Sequence, residues 1–373
     1  MLGRYLTLRV AAVTAAVGLS LALGPAGAQA AATPHWQVSY RTHSATPAPL
    51  DSVTAPGKYN AWAVGTAGSG TSARPDVLHW NGRTWSRWAM PADFRPALVE
   101  ASSTSNVWVI GSTSTFTQEA MVWNGSKWST VSTPFDFGDG PVAVLSRSDV
   151  WGAVGSDCAG NTDPTCTTTF WHWNGSTWTS VTLDMYLEGI AGAGGHAWLF
   201  GLTALRNYDS GSGDPTGAPV IYRTTGATVA KATAPGRRLY DFAQIAAAPS
   251  GQLWMLGSPG SDKNATLLFH WTGRAWTSAR VPAKVGSAEP FIIQDPLIYD
   301  GHSGVWAGAY AHWTGTKWIN AFQIASMPGT DSFGLLGLAA IPGSSSIWGV
   351  GLVGRSPTNN THDSLIASYG TVP

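Results

Sequence analysis

Seven tryptophans recur at near-regular intervals along the chain: Trp62, Trp108, Trp151, Trp198, Trp254, Trp306 and Trp348, separated by 46, 43, 47, 56, 52 and 42 residues. A period in this range is the size of one four-stranded blade. The chain therefore reads as an all-β, seven-bladed β-propeller of four-stranded antiparallel blades.

One repeat shows how the unit works. In the second blade, residues 98–101 read as a short apolar strand, 102–106 as a polar turn, and 107–111 as a second strand carrying Trp108. Residues 120–123 and 128–131 read as the third and fourth strands, joined through Asn124-Gly125. Asn-Gly between apolar runs is a strong hairpin signal, because both residues accept positive φ. The Trp-Asn-Gly-x-x-Trp spacing admits two registers. A two-residue hairpin sets Trp123 opposite Ser126, and a four-residue loop sets it opposite Trp128. Either register puts both indoles on one face of the sheet, where they can cover the neighbouring blade.

The cassette recurs at Trp80 and Trp85, Trp173 and Trp178, Trp271 and Trp276, and Trp313 and Trp318. The fourth blade is degenerate, with Tyr222-Arg223-Thr224-Thr225-Gly226 in the slot and no second Trp. A glycine follows the second-strand Trp by three residues in five blades: Gly65, Gly111, Gly201, Gly257 and Gly351. Blade 3 has it one later, at Gly155, which suggests a bulge. Blade 6 has it one earlier, at Gly308.

The two ends predict how the ring closes. The last blade runs out at Tyr369-Gly370 without a fourth strand. Residues 35–40, His-Trp-Gln-Val-Ser-Tyr, match a lone fourth strand, so they are expected to complete blade 7. That closure removes exposed sheet edges. Ahead of it, Arg4 and Arg9 precede an apolar run over 10–23, and Ala28-Gln29-Ala30 gives a small-x-small cleavage pattern. Residues 1–30 are expected to be a Sec signal peptide, with 31–373 a single propeller domain exported to the extracellular medium. No Arg-Arg pair precedes the apolar run, so the Sec route is expected over twin-Arg; no Cys follows it to carry a lipid, so no membrane anchor is expected.

Composition excludes one class of partner. The 21 Lys and Arg balance 21 Asp and Glu, so no electrostatic footprint for nucleic acid is present. The two cysteines, Cys158 and Cys166, share one short segment, and in an oxidising compartment they read as a local disulfide. Two thiols without further Cys or nearby His do not complete a tetrahedral metal site.

The cassette Val-Trp-Ala-Val-Gly followed by Leu-His-Trp-Asn-Gly-x-x-Trp resembles the Trp-rich propeller repeats of secreted actinobacterial proteins, many without assigned function. More loosely it is similar to the kelch and galactose-oxidase-type propeller superfamily. The resemblance spans nearly the whole mature chain and implies the fold rather than an activity. The chain lacks kelch double glycines, WD dipeptides and Ser-x-Asp-x-Gly-x-x-Trp boxes. A galactose oxidase would need a Cys–Tyr crosslink, and both cysteines here are taken by the expected local bridge. No catalytic residue is carried over.

Candidate chemistry is sparse. His79, His172, His270 and His312 all precede the third-strand Trp, and a residue type that recurs at one blade position reads as part of the cassette rather than as a ligand set. Of the 20 tryptophans, only Trp88 and Trp171 stand off the repeat positions, so the stripes read as inter-blade core rather than sugar platforms. Insertions over 157–168, 203–219 and 353–363 fall between second and third strands, and 281–295 falls between blades, so all four extend one face. Elaborated loops on a rigid scaffold are where binding usually lives. On that face Arg206, Asn207, Tyr208 and Asp209 combine charge with an aromatic, and Asp214 and Asp163 lie in neighbouring loop sequence. Residues 209–214, Asp-Ser-Gly-Ser-Gly-Asp, resemble part of an oxygen-ligand calcium loop without its full acidic spacing, so no cofactor is assigned and calcium is the one cation left open. Asp136, Asp139 and Asp163 are candidates for a carboxylate cluster at the channel mouth.

The expected function is a secreted, non-catalytic binding or scaffold propeller that recognises an extracellular glycan or protein through the long-loop face. The competing class is a carbohydrate-active hydrolase or lyase with carboxylates at the channel mouth.

Overall fold

The structure is a computed structural model that describes residues 34–42, 46–134, 140–159, 165–206, 216–259, 265–282, 296–309, 311–321, 332–356 and 359–372. The stretch Pro34–Pro373 gathers into one compact unit. The expected signal peptide lies outside the described residues. Among those that are described there is one 3-10 turn, Gly70–Ser72, and no α-helix.

Seven antiparallel four-stranded blades follow one another around a ring. Blade 1 comprises Leu50–Gly57, Asn60–Ala67, Arg74–Trp80 and Trp85–Arg87. Blade 2 comprises Phe94–Ser103, Asn106–Thr113, Gln118–Trp123 and Trp128–Ser132. Blade 3 holds Val142–Ser146, Asp149–Ala153, Thr165–Trp173 and Trp178–Leu183, with the short Asp157–Ala159 paired to its third strand. Blade 4 holds Tyr186–Ala193, His196–Arg206, Thr216–Thr225 and Thr228–Ala232. Blade 5 holds Leu239–Ala247, Leu253–Pro259, Leu267–Trp271 and Trp276–Arg280, and blade 6 holds Leu297–Tyr299, Val305–Ala307, Ala311–Trp313 and Trp318–Asn320. Blade 7 takes Ser332–Ala340, Ile347–Ser356 and Asn359–Tyr369 from the end of the chain, and Trp36–Arg41 from its beginning.

The cassette resolves to the four-residue loop, because Trp123 pairs directly with Trp128, and Trp80, Trp173, Trp271 and Trp313 pair in the same way with Trp85, Trp178, Trp276 and Trp318. The loop is built by its first residue. Asn124 Oδ1 accepts from the backbone N–H groups of Ser126 (2.9 Å) and Lys127 (3.0 Å), while Gly125 takes φ 98°. This side-chain mimic of a backbone turn is why Asn stands there. In blades 5 and 6 the Oγ1 of Thr272 and of Thr314 accepts from Ala275 and Lys317 instead.

Each aromatic pair closes on the buried Trp of the preceding blade. Trp128 lies 5.2 Å from Trp62, Trp173 lies 6.2 Å from Trp108, and Trp80 and Trp85 lie 5.2 and 5.1 Å from Trp348 (ring centroids). Most of these contacts are edge-on, the arrangement aromatic quadrupoles favour. All seven second-strand tryptophans are buried. At the closing seam, Trp36 and Tyr369 of blade 7 flank Trp306 of blade 6, and Trp36 Nε1 donates to Ala309 O at 3.0 Å. Across the seam from blade 7 to blade 1, the Ser364 hydroxyl lies 2.7 Å from Ala48 O and 3.0 Å from Asp76 Oδ2.

The repeated glycine has a steric cause. A Cβ at Gly65 would sit 2.0 Å from Pro49 O, at Gly111 2.1 Å from Arg95 O, and at Gly351 1.9 Å from Gly334 O. Each carbonyl belongs to the chain entering the innermost strand, where the register slips by one residue. The glycine admits the close approach that the bulge requires. Blade 3 departs from expectation here. Gly155 stands in open space beyond the second strand, and the tight contact is made from the other side, by Gly140 against Ala153 O at 2.0 Å.

Candidate functional site

The innermost strands of all seven blades wall a central channel with a cavity of about 430 Å³. The bulges decide what points into it. The extra residue is Asp51 in blade 1, Ala97 in blade 2 and Leu336 in blade 7, and all three line the channel. Glu188 holds the corresponding bulge position in blade 4. Lower in the channel, the residue paired with the buried Trp is Glu100 in blade 2, whereas blades 3, 4, 5 and 7 place Ala143, Ala191, Ala246 and Ala339 there. Burial away from water pushes the Asp51 carboxyl up to about 6. It pushes Glu100 up to about 7, against the opposing effect of a backbone hydrogen bond at Ala101. At neutral pH Glu100 thus keeps about half of its proton, and Asp51 about a tenth. These two acids were not singled out from sequence, since nothing before the fold marks a residue as a channel-lining bulge.

The rim offers a second feature. In the connection between the second and third strands of blade 2, Phe116 is 78% exposed and adopts φ 62°. The turn beneath it is rigid: Phe116 N donates to Thr113 O, Thr113 N donates to Thr117 O, both at 2.9 Å, and the hydroxyls of Thr113 and Thr115 meet at 2.9 Å. A large aromatic in the left-handed region and in full contact with water is doubly unfavourable for folding alone. The sequence carries a partial signal for it, an aromatic amid Ser and Thr in a second-to-third-strand turn.

The described ends of three of the long insertions are strands. Where the sequence reads as loops over 157–168, 203–219 and 353–363, the strands continue past the blade edge. Cys158 pairs with Cys166 and is disulfide-bonded to it; Arg206 pairs with Thr216; and Ser356 pairs with Asn359. The blade 4 hairpin also reaches blade 5, through Thr216 opposite Tyr240 and Gly217 opposite Leu239, and Arg238 donates to Ala204 O (2.6 Å) and Thr216 O (2.8 Å). Of the residues expected to bind ligand, Arg206 is placed by its backbone at the end of that strand. Asn207, Tyr208, Asp209, Asp214 and Asp163 lie outside the described residues, as do Asp136, Asp139 and most of 281–295.

The four recurrent histidines are placed together with their blades rather than with one another. His79, His172, His270 and His312 each pair with and stack on the buried Trp of their own blade, at centroid distances of 4.2, 4.6, 4.7 and 4.5 Å. Burial holds the imidazoles of His79 and His270 below the usual histidine range. His172 and His312 are fixed by Asp149 (3.0 Å) and Asp300 (2.9 Å). Among the described residues, no group of three or more His, Cys, Asp or Glu is arranged to hold a metal ion.

No protein-family model matches the chain, and no curated protein matches it in sequence. Solved structures do match. YCF48 bound to a D1 peptide is 13% identical, over 90% of this chain and 97% of that one, with a TM-score of 0.50. YCF48 from Cyanidioschyzon merolae is 14% identical over 90% and 99%, with a TM-score of 0.49. The lectin SapL1, solved with alpha methyl fucoside, is 11% identical over 76% and 98%, with a TM-score of 0.44. At this identity the likeness shows the fold alone.

Proposed function

We propose that this chain is a secreted, non-catalytic binding propeller that recognises a glycan or a protein through the face bearing its second-to-third-strand connections. The observation that carries the reading is Phe116, exposed and in the left-handed region at the tip of a rigid turn. A strained aromatic anchor held out by a stiff scaffold suits recognition, since it loses little freedom on contact. The disulfide-bonded hairpin of the next blade stiffens the same face and suits an oxidising compartment. The test is a glycan-array, polysaccharide pull-down and extracellular-protein capture screen on the wild type and Phe116→Ala, with and without calcium. A saturable partner lost with Phe116→Ala is the expected result. Retention of every wild-type partner by Phe116→Ala would overturn the reading.

The raised carboxyls of Asp51 and Glu100 favour a second reading, a carbohydrate-active hydrolase working in the channel. A carboxyl that stays protonated near neutral pH can donate a proton to a leaving group. Their placement counts against a paired mechanism. Glu100 stands at the height of Thr54, three residues beyond Asp51 along the strand direction. That sets the two about 10 Å apart along the channel axis before the step between blades is added, wider than the roughly 5–9.5 Å of paired glycosidase carboxylates. Polysaccharide turnover abolished by Glu100→Gln would establish the second reading over the first.

A further inference from the structure

A second cavity, of about 500 Å³, opens between blades 4 and 5 at the end of the ring opposite Phe116. It is bordered by Gly194 and by Pro249, Ser250 and Gly251 of the first-to-second-strand turns, and by Gly273 of a third-to-fourth-strand turn. This seam lacks a bridge that spans the seam between blades 2 and 3. In blade 3, Arg147 stands four residues before the buried Trp151 and donates across the seam to Ser105 O (2.8 Å) and Asn124 O (2.9 Å). At the same offset from Trp254, blade 5 has Ser250, too short to cross.

The walls are chemically specific. Blade 4 puts Arg223 in the slot that holds the stacked histidine in four other blades. Its guanidinium lies 5.8 Å from the Trp198 ring, and among the described residues it makes neither a hydrogen bond nor an ion pair. Beside it, His196, which also lines the cavity, donates from Nδ1 to Thr224 O at 2.6 Å. Trp271 of blade 5 forms the facing wall and is only partly buried. Among the described residues, no Asp or Glu lines the cavity. Lys231 borders it from the outermost strand, and its register beside Tyr222 turns its side chain toward the other face of the blade.

We infer that this cleft is a binding site for an acidic sugar, a pyranose ring carrying a carboxylate. The exposed guanidinium fork matches a carboxylate in two parallel hydrogen bonds, and its cation–π contact with Trp198 biases it toward the cleft. The part of Trp271 left open to the cavity offers apolar contact to the C–H groups of a pyranose. A cavity of this volume is in the range of small-ligand sites and holds one or two sugar units rather than an extended chain.

The test is isothermal titration calorimetry with tri-galacturonate, its methyl ester and tri-aspartate, against the wild type, Arg223→Gln and Ser250→Arg. Both substitutions fall at the surface, and a thermal melt of each confirms the fold. Ser250→Arg fills the cleft as Arg147 does in blade 3 while adding a positive charge, so it separates a shaped site from mere attraction of anions. Saturable binding of tri-galacturonate, weakened at least about tenfold by either substitution and by methyl esterification, is expected. Absence of wild-type binding, equal binding of the methyl ester, preference for tri-aspartate, or tighter binding by Ser250→Arg would each overturn the inference. The cleft shares no residue with the Phe116 face, so its failure leaves the function proposed above to its own test.

Discussion

Single residues carry the two features of the channel face that the repeat does not explain. Asp51 and Glu100 have folded-state values raised to about 6 and about 7 by burial. The folded state therefore binds their protons more tightly than the unfolded chain does, and stability falls as pH rises from about 4 to about 7. Asp51→Asn and Glu100→Gln should each stabilise the protein at pH 8, by about 1–2 kcal/mol after allowance for solvent screening, and do little at pH 4. Urea unfolding at the two pH values measures this. Phe116→Gly should likewise raise stability, by about 0.5–1 kcal/mol, because glycine takes φ 62° without strain. A thermal melt that shows a loss instead would mean that the ring packs on its own surface. Neither the burial of the two carboxyls nor the backbone conformation of Phe116 is legible in sequence. A carboxylate facing the channel and one facing water look alike until a bulge fixes which way the strand turns, and a positive φ at Phe leaves no mark on composition.

At the scale of the element, the sequence was read nearly whole. The Trp-Asn-Gly-x-x-Trp cassette predicts a hairpin with both indoles on one face, and direct pairing of Trp123 with Trp128 selects one of the two registers left open. Asn124→Ala removes an acceptor for two backbone N–H groups and should cost about 1 kcal/mol. Denaturant midpoints would show it, with an unchanged slope if the hairpin alone is affected. The insertions were misjudged for a related reason. Polar, Gly-rich sequence suggests a loop, yet Asp157–Ala159 and the extended strands of blades 4 and 7 find backbone partners across the hairpin, and pairing outweighs weak local preference. The misplaced bulge of blade 3 has the same origin. Spacing along one strand cannot reveal that Gly140, in the segment entering the partner strand, provides the clearance.

For the whole molecule, the Trp period fixes the number of blades because each blade presents one buried indole to the next and one aromatic pair to the last. Blade 4 is the exception, with Thr224 and Val229 in place of the pair, and smaller side chains there still seal the seam. The closing strand was legible because its Trp36 fits the fourth-strand slot. Trp36→Ala would empty a fully buried site against Trp306 and Tyr369 and should cost about 3–5 kcal/mol. If the ring unfolds as one unit, fluorescence and far-UV circular dichroism will shift together. If blade 7 peels away first, they will separate.

The closing strand also sets an order of events. The hydrogen bond from Trp36 to Ala309 joins residues 273 apart in the chain, and Trp36–Arg41 has no sheet to join until Asn359–Tyr369 has been made. Six blades can assemble from neighbouring sequence as it emerges, each using only contacts of short range. The seventh must wait for Trp36–Arg41 to meet Asn359–Tyr369, a search whose entropy grows with the intervening length. Until then Trp306 and the edge of blade 7 face solvent, so the slowest step of folding is also the one during which the chain is most open to pairing with another copy of itself.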